Sequence, residues 1–479
     1  MLLLALAVAV GVGLWASRKN KSADAFLYAD RSLPWWAILG SIVATETSAV
    51  TVLSVTGVGY GDVGMRFLQF GLGLLLGRSL VAAFFMPMFF AGKLGSAYEV
   101  LGKRFGAPVR RLAGAMFLVA RNLGDALRLY LGALVLQVLL GLGLVECVLI
   151  TGCVTIVYTC LGGIRSVVWN DCIQLLIYMA GGVATLFFIA HQIDGGWGGM
   201  IRHIEPGRLN PLDFGFTLSE NNQFWASVVG GAVLGMGTHG TDQMMVQRYL
   251  STNTRKQASL ALTLSGLVIV IQFALFLFIG VCLSVFYDGR ADAPEKADQV
   301  YQHFIVHHFP PNSGLAGLML AAVLAATMST LSSSFSASAS SLLNDFVRPM
   351  RRKPMSERGL LRVSQLMAVG FGGVQMVIGV WAQWWGGPSV VFAVLGIAGF
   401  VFGILLGVFA LAMLVPRAGS AAAMAGALLG LAVLTGVKFG LPVLGVQVAS
   451  HWLALIGSAT VLVVGGSLSF VLDRKEVSP

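Results

Sequence analysis

The sequence predicts an all-α integral membrane protein with about thirteen transmembrane helices. Of the 479 residues, 57% are hydrophobic and only 11% are charged, whereas an ordinary soluble domain carries about 25% charged residues. Apolar runs of roughly 17 to 30 residues recur along the whole chain, and roughly 20 helical residues are needed to cross a bilayer. Because backbone groups in lipid must pair within their own segment, these runs are predicted to be helices.

The predicted spans follow the apolar runs in order, separated by charged or turn-forming residues. They cover residues 1–16, 35–59, 67–91, 112–139, 142–161, 167–191, 223–247, 258–286, 314–344, 360–384, 389–415, 420–437 and 452–471. The polar stretches between them are short. No soluble domain is therefore predicted, and residues 1–479 are expected to form a single transmembrane domain.

The distribution of basic residues predicts the orientation in the membrane. The first apolar run has no basic residue before it and is followed by Arg18, Lys19 and Lys21, an order that favours a retained helix with its N-terminus outside. In that orientation, 22 of the 31 Lys and Arg residues fall in cytoplasmic segments and 6 in outside segments. The C-terminus is then cytoplasmic, and the net charge of +10 belongs to loops beside anionic lipid, so no nucleic acid partner is predicted. We expect a multi-pass protein of the cell (inner) membrane.

Two of the predicted helices carry residues that favour an interruption within the membrane. The segment from Gly40 to Gly61 places the polar run TETS (45–48) in mid-membrane, and the segment from Gly230 to Gly240 reads GGAVLGMGTHG. The two segments lie five predicted helices apart. That spacing is typical of an inverted repeat whose paired interrupted helices form a binding site at the midplane.

A hydroxyl-rich stretch, TMSTLSSSFSASASS, occupies residues 327–341 of a long apolar helix. Five serines share one face: Ser329, Ser332, Ser333, Ser336 and Ser340. Such hydroxyls can bond their own helix carbonyls and allow close helix packing. They can equally replace the water shell of a monovalent cation, together with carbonyls freed at an interrupted neighbour. The composition alone leaves both interpretations open.

Several ionisable residues lie in apolar segments, where they are costly and require a partner or a function. Asp171 could pair with Arg165 or ligate a cation. Within RNLGDALRLYLG, Asp125 and Arg128 are spaced to neutralise each other, which is the favoured interpretation. The alternative is that Arg128 faces a cavity and holds a carboxylate, which its planar fork suits.

Three further polar residues require an explanation. Glu46 and Asp242 are acids in apolar surroundings, and Asp242 could bond Arg248 or the backbone. Gln69 lies in the outer half of its predicted helix, where it could face a solute. Sequence motifs of metalloproteases, nucleotide hydrolases and serine hydrolases were not found, so the protein is not predicted to be an enzyme.

Four segments of the sequence resemble the solute:sodium symporter (SSS) family, in the same order and at the same spacing. They are residues 22–60, 158–174, 240–250 and 325–346. The resemblance implies the inverted-repeat fold of the amino-acid transporter LeuT, with five plus five helices, one extra N-terminal helix and two extra C-terminal helices. The implied division is an extra helix and loop at 1–33, a first repeat at 34–191, a second repeat at 222–416, and two helices with a short cytoplasmic tail at 417–479.

The resemblance also implies a main sodium site. In the family, two backbone carbonyls of the first core helix face a carbonyl and two hydroxyls of the eighth. Matched motif to motif, these groups belong to Ala44, Thr47, Ala326, Ser329 and Thr330.

Some members of the family have a second sodium site, made by an acid and hydroxyls one turn along the serine-rich helix. The matching positions here are Asp171, Ser329, Ser332 and Ser333. One or two sodium ions are therefore expected as the coupling ions.

The solute site departs from that of the family's galactose carriers. Where those carriers have a Gln, a Glu and an aromatic gate, this chain has Thr51, Phe70 and Thr238. The candidate solute-binding residues are Glu46, Thr51, Gln69, Arg128, Thr238 and His239. This set suits a carboxylate or an amino-acid-like compound rather than a sugar.

The resemblance implies a sodium-coupled symporter that imports a small polar organic solute by alternating access. The expected partners are the solute, sodium ions and the lipid bilayer, and no obligate protein partner is predicted. One alternative is a proton-coupled or uncoupled carrier of the same fold. A second is a sensor that detects a solute with a transporter fold, although the predicted tail DRKEVSP has no room for a signalling domain.

Overall fold

The computed structural model describes residues 11–12, 15, 23–48, 50–92, 94–309, 315–351, 355–384 and 390–472. In this part of the chain the secondary structure is helical, with an isolated β-bridge between Leu33 and Thr252. The predicted all-α class is confirmed. Most of the predicted helix at 1–16 and the tail with Arg474 and Lys475 lie outside the described residues.

The N-terminal half contains two very long helices and several shorter ones. They are α1 (Ala23–Tyr28), α2 (Trp35–Glu46), α3 (Val55–Tyr60), α4 (Leu68–Phe84), α5 (Met86–Phe89), α6 (Glu99–Phe105), α7 (Ala107–Leu140), α8 (Leu144–Gln192) and α9 (Gly196–His203).

The C-terminal half continues the same architecture. Its helices are α10 (Gly231–Gly240), α11 (Gln243–Tyr249), α12 (Arg255–Phe286), α13 (Val300–His307), α14 (Leu315–Ser341), α15 (Arg348–Met350), α16 (Glu357–Trp381), α17 (Val390–Leu414), α18 (Ser420–Thr435) and α19 (Leu453–Leu472).

Many of these helices are long and apolar enough to cross a membrane. Within the described ranges seven meet that description by length and composition, or eight if the bent pair of α2 and the segment Val50–Tyr60 is one span. Long lipid-compatible helices of this kind are what a multi-pass membrane protein requires. The total of about thirteen and the division into repeats stay predictions.

The first interruption separates α2 from α3. Helix α2 ends at Glu46, Thr47 is extended (φ −79°, ψ 100°), and a π-helical turn covers Val50–Ser54 before α3 begins. The two halves of the pair are bent by 65°. The hydroxyl of Ser48 accepts a hydrogen bond from the Val50 amide at 3.2 Å, so short polar side chains replace part of the lost helical bonding. The predicted interruption of the segment Gly40–Gly61 is confirmed.

The second interruption separates α10 from α11. Helix α10 ends at Gly240, and Asp242 is extended (φ −80°, ψ 119°). The Asp242 carboxylate caps α11 because it accepts a hydrogen bond from the Met244 amide at 2.8 Å. The interruption follows directly after the predicted segment Gly230–Gly240.

Helix α8 corresponds to two of the predicted spans. The sequence predicts spans 142–161 and 167–191, and α8 divides into a shorter apolar helix, Leu144–Val157, and a helix long enough to cross a membrane, Gly163–Gln192. The backbone departs from helical geometry at Gly163 (φ 59°, ψ −173°), a positive φ that glycine adopts readily because it has no Cβ. The Arg165 guanidinium then donates to the Ala29 carbonyl and the Ser32 hydroxyl, each at 2.9 Å.

The second half of the first interrupted pair packs closely on α12. A Cβ added at Gly280 would overlap the Thr56 carbonyl oxygen and lie 2.6 Å from the Tyr60 amide nitrogen. The backbones of α3 and α12 can approach this closely because a small residue stands at the contact, as is common between membrane helices. This packing supports α3 directly after the interruption.

Candidate functional site

The interruption after α2 faces one turn of the serine-rich helix α14. The Thr330 hydroxyl donates a hydrogen bond to the Thr45 carbonyl at 3.0 Å and also approaches the Ala326 carbonyl at 3.2 Å. Thr47, Ser329 and Thr330 are buried. The structure therefore brings the predicted main sodium residues of α14 against the end of α2, where Ala44 and Thr47 lie.

Ser329 joins this turn to α8. Its hydroxyl donates a short hydrogen bond to Asp171, whose carboxylate is fully buried. A hydroxyl that donates to a carboxylate keeps its oxygen lone pairs for another partner. The same Ser329 oxygen can therefore still contact a cation.

Asp171 pairs with an arginine other than Arg165, the partner considered from the sequence. Arg165 bonds elsewhere, and Asp171 instead forms an ion pair with Arg248 of α11 at 3.4 Å. It also accepts hydrogen bonds from Ser41 at 2.5 Å and from Thr45 at 3.3 Å. The Arg248 side chain is 0% exposed. Of the two alternatives for Asp171, the pairing with Arg165 is not what the structure shows, because the segment after Asp242 brings Arg248 to this carboxylate instead.

The predicted second sodium residues are gathered around this arginine. The Arg248 guanidinium donates to the Ser333 hydroxyl at 2.6 Å and to the Ser41 hydroxyl at 2.9 Å. Ser332 differs, because its hydroxyl donates to the Ser329 carbonyl at 2.9 Å. Three of the four predicted side chains, those of Asp171, Ser329 and Ser333, thus lie close together. The Arg248 guanidinium contacts two of them, Asp171 and Ser333.

A second buried ion pair lies at the last residue of α2. Glu46 pairs with Arg78 of α4 in a short contact and with the His239 ring nitrogen at 3.2 Å. The same His239 nitrogen, Nε2, lies 3.2 Å from the Arg78 Nε, and it can either accept from Arg78 or donate to Glu46, depending on the tautomer. Glu46 is therefore held from two sides by side chains of α4 and α10.

The third group of charges connects α7 to the second interruption. Asp125 accepts from Arg128 in a short contact and from Arg121 at 3.4 Å, and Arg121 also pairs with Asp242 in a short contact. The predicted pairing of Asp125 with Arg128 is confirmed. Of the two partners considered for Asp242, the structure shows the backbone, through the Met244 amide, and not Arg248, which pairs with Asp171.

The positive and negative charges of these side chains are equal in number. Around the two interruptions, four arginines lie opposite four acids: Arg78, Arg121, Arg128, Arg248, Glu46, Asp125, Asp171 and Asp242. An unpaired charge at this depth would be strongly destabilising. Nε atoms of Arg121 and Arg128 nevertheless remain buried without a hydrogen-bond partner in the described part of the chain.

A cavity of about 130 Å³ lies between the two interruptions. Its polar wall includes Glu46, Thr51, Arg128 and Thr238, together with Thr45, Ser48, Arg121 and Asp242. The remainder is mainly apolar and includes Phe67, Phe70, Leu234, Ile269, Phe273 and Phe402. The cavity is thus lined both by charged and hydroxyl groups and by hydrophobic side chains.

Two of the six predicted solute residues do not line this cavity. Gln69 is fully buried against the segment with Asp213 and Asn222, where it donates to the Asn222 carbonyl and accepts from the Asp213 amide, each at 3.0 Å. His239 lies behind Glu46 and orients it. Gln69 was a candidate because of its polarity and its position along the predicted helix, and His239 because of its polarity. Their backbone and carboxylate partners could not be identified from the sequence.

Arg121 and Arg248 contribute to the site without having been among the candidate site residues. The i, i+4, i+7 spacing of Arg121, Asp125 and Arg128 was a usable signal for the first, because these residues share one helix face. Arg248 was missed because it lies close to the end of a predicted helix, and this position gave no sign that its side chain is buried.

Comparisons with known proteins identify the family to which the chain is similar. A family model described as the sodium:solute symporter family matches residues 26–430. The chain is 32% identical to the human sodium/iodide cotransporter over 449 residues, which cover 91% of this chain and 69% of that protein. It is 31% identical to the human sodium-coupled monocarboxylate transporter 1 over 445 residues, covering 92% and 72% of the two chains.

Two solved structures resemble the fold over nearly its whole length. A Na⁺-coupled sialic acid symporter, in a substrate-bound outward-open state, superposes with a TM-score of 0.88 at 25% identity and covers 98% of this chain and 96% of that chain. A nucleobase-cation-symport-1 family transporter in a closed conformation superposes with a TM-score of 0.58 at 15% identity and covers 92% of each chain. The second likeness concerns the fold alone.

Proposed function

The chain belongs to the sodium:solute symporter family, and from this premise we propose that it imports small monoanionic solutes, with short-chain carboxylates as the substrate class. It is a multi-pass membrane transporter and not an enzyme, and sodium is its coupling ion. The proposal concerns the solute, the direction of transport and the residues that bind.

The position of Arg128 carries the proposal. Its side chain lines the cavity, and Asp125, its ion-pair partner, is shared with Arg121. Its Nε is buried without a hydrogen-bond partner among the described residues. Since a guanidinium presents five donors in a planar fork, Arg128 can bind a carboxylate while Asp125 stays paired with Arg121.

The size and lining of the cavity narrow the solute class. Its volume of about 130 Å³ is below the roughly 300–1,000 Å³ of pockets for drug-sized ligands. Aromatic and aliphatic side chains surround most of it, so a short apolar tail is favoured over a polyhydroxylated body. A carboxylate with few carbon atoms meets both conditions.

An amino acid is disfavoured by the state of Glu46. The carboxylate that would receive an ammonium group already contacts Arg78 with one oxygen and His239 with the other. A zwitterion would have to break these contacts in a buried setting, whereas a simple carboxylate would not.

We propose Ala44, Thr47, Ala326, Ser329 and Thr330 as the sodium site. Thr45 and Ser48 line the cavity next to this site, so an ion and a solute would bind at the two sides of one interruption. Binding of both to the same conformation gives each a higher affinity in the presence of the other. That linkage is the physical basis of symport by alternating access.

The membrane arrangement belongs to the same proposal. It comprises about thirteen helices in a LeuT-like five-plus-five repeat, at 34–191 and 222–416, with the N-terminus outside and the C-terminus cytoplasmic in the cell (inner) membrane. A cysteine introduced at Lys438 would then react with an impermeant thiol reagent from outside, and one at Arg417 would not. Reaction of Arg417→Cys alone would reverse the proposed orientation.

An inorganic anion is the second candidate solute. The relative named as a sodium/iodide cotransporter prompts it, and the apolar lining would also suit a large, weakly hydrated ion. A carboxylate is preferred here because Arg128 offers a fork of donors rather than a point charge.

The test is uptake into proteoliposomes. Radiolabelled acetate, propionate and lactate should accumulate under an inward sodium gradient and not under a matching potassium gradient. Uptake of radiolabelled iodide, proline and galactose is measured in parallel. Accumulation of iodide with no uptake of any carboxylate would favour the inorganic anion, and accumulation of proline or galactose alone would overturn the proposed class.

A further inference from the structure

His451, in the short turn that leads into α19, contacts the aromatic wall of the cavity from behind. The residue is 1% exposed, and its imidazole ring stacks on the Phe70 ring with centroids 4.4 Å apart and 13° between the planes. Phe70 lines the cavity together with Phe67, whose ring centroid lies 5.4 Å from that of Phe70 and 6.4 Å from that of His451. His451 itself is not among the lining residues.

The imidazole ring is held in this position by Asn221. Its Nδ1 lies 2.8 Å from the Asn221 carbonyl oxygen, and because a carbonyl can only accept, Nδ1 carries the hydrogen. The Asn221 side-chain oxygen accepts from the Ser450 hydroxyl at 2.9 Å and from the His451 amide at 3.2 Å. One residue of the segment before α10 therefore fixes both the ring of His451 and its backbone.

Close packing on the other side leaves Phe70 little freedom. A Cβ added at Gly231, the first residue of α10, would lie 3.0 Å from Cδ2 of the Phe70 ring. A Cβ added at the preceding residue, Gly230, would overlap the His451 carbonyl oxygen. The Phe70 ring is thus in contact with both the start of α10 and the imidazole ring, and its position depends on both.

The contact reaches the cavity from outside the predicted repeats, since α19 is one of the two helices predicted to follow them. We propose that His451 is a positioning residue that limits the size of the solute, because its ring keeps Phe70 in the cavity wall. This inference rests on the proposed use of this cavity as the solute site, but not on the carboxylate as the solute class.

The small size of the cavity makes such a support effective. In a cavity of about 130 Å³, a shift of one aromatic ring changes which solutes fit. Removal of the imidazole leaves a space behind Phe70, and a close-packed interior relaxes partly into a space of this kind. Room for one further methylene group in a hydrophobic pocket changes the preference between solutes by about 10- to 200-fold.

Uptake of straight-chain carboxylates from acetate to hexanoate into proteoliposomes tests the inference. His451→Asn keeps an amide that can donate to the Asn221 carbonyl but has no ring, so the ratio of hexanoate to acetate uptake should rise at least about tenfold. His451→Phe keeps a ring without the hydrogen bond and should retain the wild-type ratio. The sodium concentration for half-maximal uptake should stay unchanged in both variants, which a general loss of structure would not allow.

His203→Asn is the matched control, because the described contact of the His203 ring is with the Gly199 carbonyl of its own helix. An unchanged uptake ratio in a folded His451→Asn would overturn the inference, and so would an equal rise in His451→Phe or in the control. His451→Gln, which also lacks a ring, replaces His451→Asn if that variant does not fold.

A double variant separates support of Phe70 from a more distant effect. Phe70→Ala removes the ring that His451 supports, so adding His451→Asn should change the uptake ratio by less than about twofold. A further rise as large as in the wild-type background would show that His451 acts independently of Phe70 and would overturn the inference.

Thiol labelling gives the same decision without a known solute. Thr238→Cys places a thiol in the cavity wall, and its labelling by methyl and benzyl methanethiosulfonate is measured against the protein without this cysteine. His451→Asn should raise the ratio of benzyl to methyl labelling rates, and an unchanged ratio would overturn the inference. If the wild type accumulates no carboxylate, the proposed solute class fails, while the labelling ratio still tests the role of His451.

Discussion

The Thr330 hydroxyl donates a hydrogen bond of 3.0 Å to the Thr45 carbonyl, between residues 285 positions apart in the sequence. This contact holds the serine-rich helix α14 against the interruption of α2. It places two hydroxyls beside a segment whose backbone bonding is already disturbed.

Replacing Ser329 and Thr330 together by alanine should raise the sodium concentration for half-maximal uptake by at least about tenfold. Each hydrogen bond to a charged group contributes about 1.5–3 kcal/mol, and about 1.4 kcal/mol corresponds to tenfold in affinity. The measurement is initial uptake rate against sodium concentration. Ser364→Ala is the control, because this buried serine of α16 bonds only the Leu360 carbonyl of its own helix among its described partners. An unchanged sodium dependence in the double variant would contradict the site.

Arg128→Gln should weaken anionic solute binding by about 10- to 100-fold, because a charge-assisted contact of about 1.5–3 kcal/mol is lost. Asp125 keeps Arg121 as a partner, so the fold should be retained. Arg128→Lys keeps the charge but not the planar fork of donors, so its affinity for the solute should lie between those of the wild type and Arg128→Gln. The half-saturating carboxylate concentration measures the effect. If sodium no longer raises the thermal stability of Arg128→Gln, the residue is structural instead.

Glu46→Gln should destabilise the protein by about 3–5 kcal/mol, because the buried Arg78 charge loses its carboxylate. The midpoint of thermal unfolding in detergent measures this. Glu99→Gln is a control of similar exposure, since its partner Arg110 keeps Asp345. We expect Glu46→Gln with Arg78→Gln to be more stable than the sum of the two single changes predicts. Strict additivity would indicate that the pair contributes no coupling.

Gly280→Ala should lower stability by about 1–3 kcal/mol, because the new methyl group meets the backbone of α3, which is not free to move away. Gly370→Ala is the control, since a Cβ there has no neighbour within 4 Å among the described residues. The midpoint of thermal unfolding should be lower for Gly280→Ala than for Gly370→Ala. Equal midpoints would show that α3 and α12 can move apart at little cost.

Much of the fold could be predicted because hydropathy acts locally. Each long apolar run had to become a helix in lipid, and the polar run at 45–48 and the glycine-rich segment at 230–240 marked where helices end early. The break within α8 was also predicted, because Arg165 lies between two apolar runs. The positive φ of Gly163 was not predicted, since a single glycine leaves no hydropathy signal.

The ion pairs show more clearly which features could not be predicted from the sequence. The pairing of Asp125 with Arg128 was predicted correctly because both lie on one helix, three residues apart. Asp171 and Arg248 are 77 positions apart, and Glu46 and Arg78 are 32 apart. Each buried acid had several arginines as conceivable partners, and only the packing of α2, α4, α8 and α11 selects one.

The sequence by itself determined the helical class, the interrupted helices, the family and sodium as the coupling ion, because these depend on composition and on motifs that are local in the chain. Only the tertiary structure decided that Arg248 is buried against Asp171, that His239 and Gln69 stand outside the cavity, and that Arg128 borders it. The physical reason is that a buried charge is stabilised by whichever partner the fold brings within reach, and that distance is set by helices far apart in the sequence.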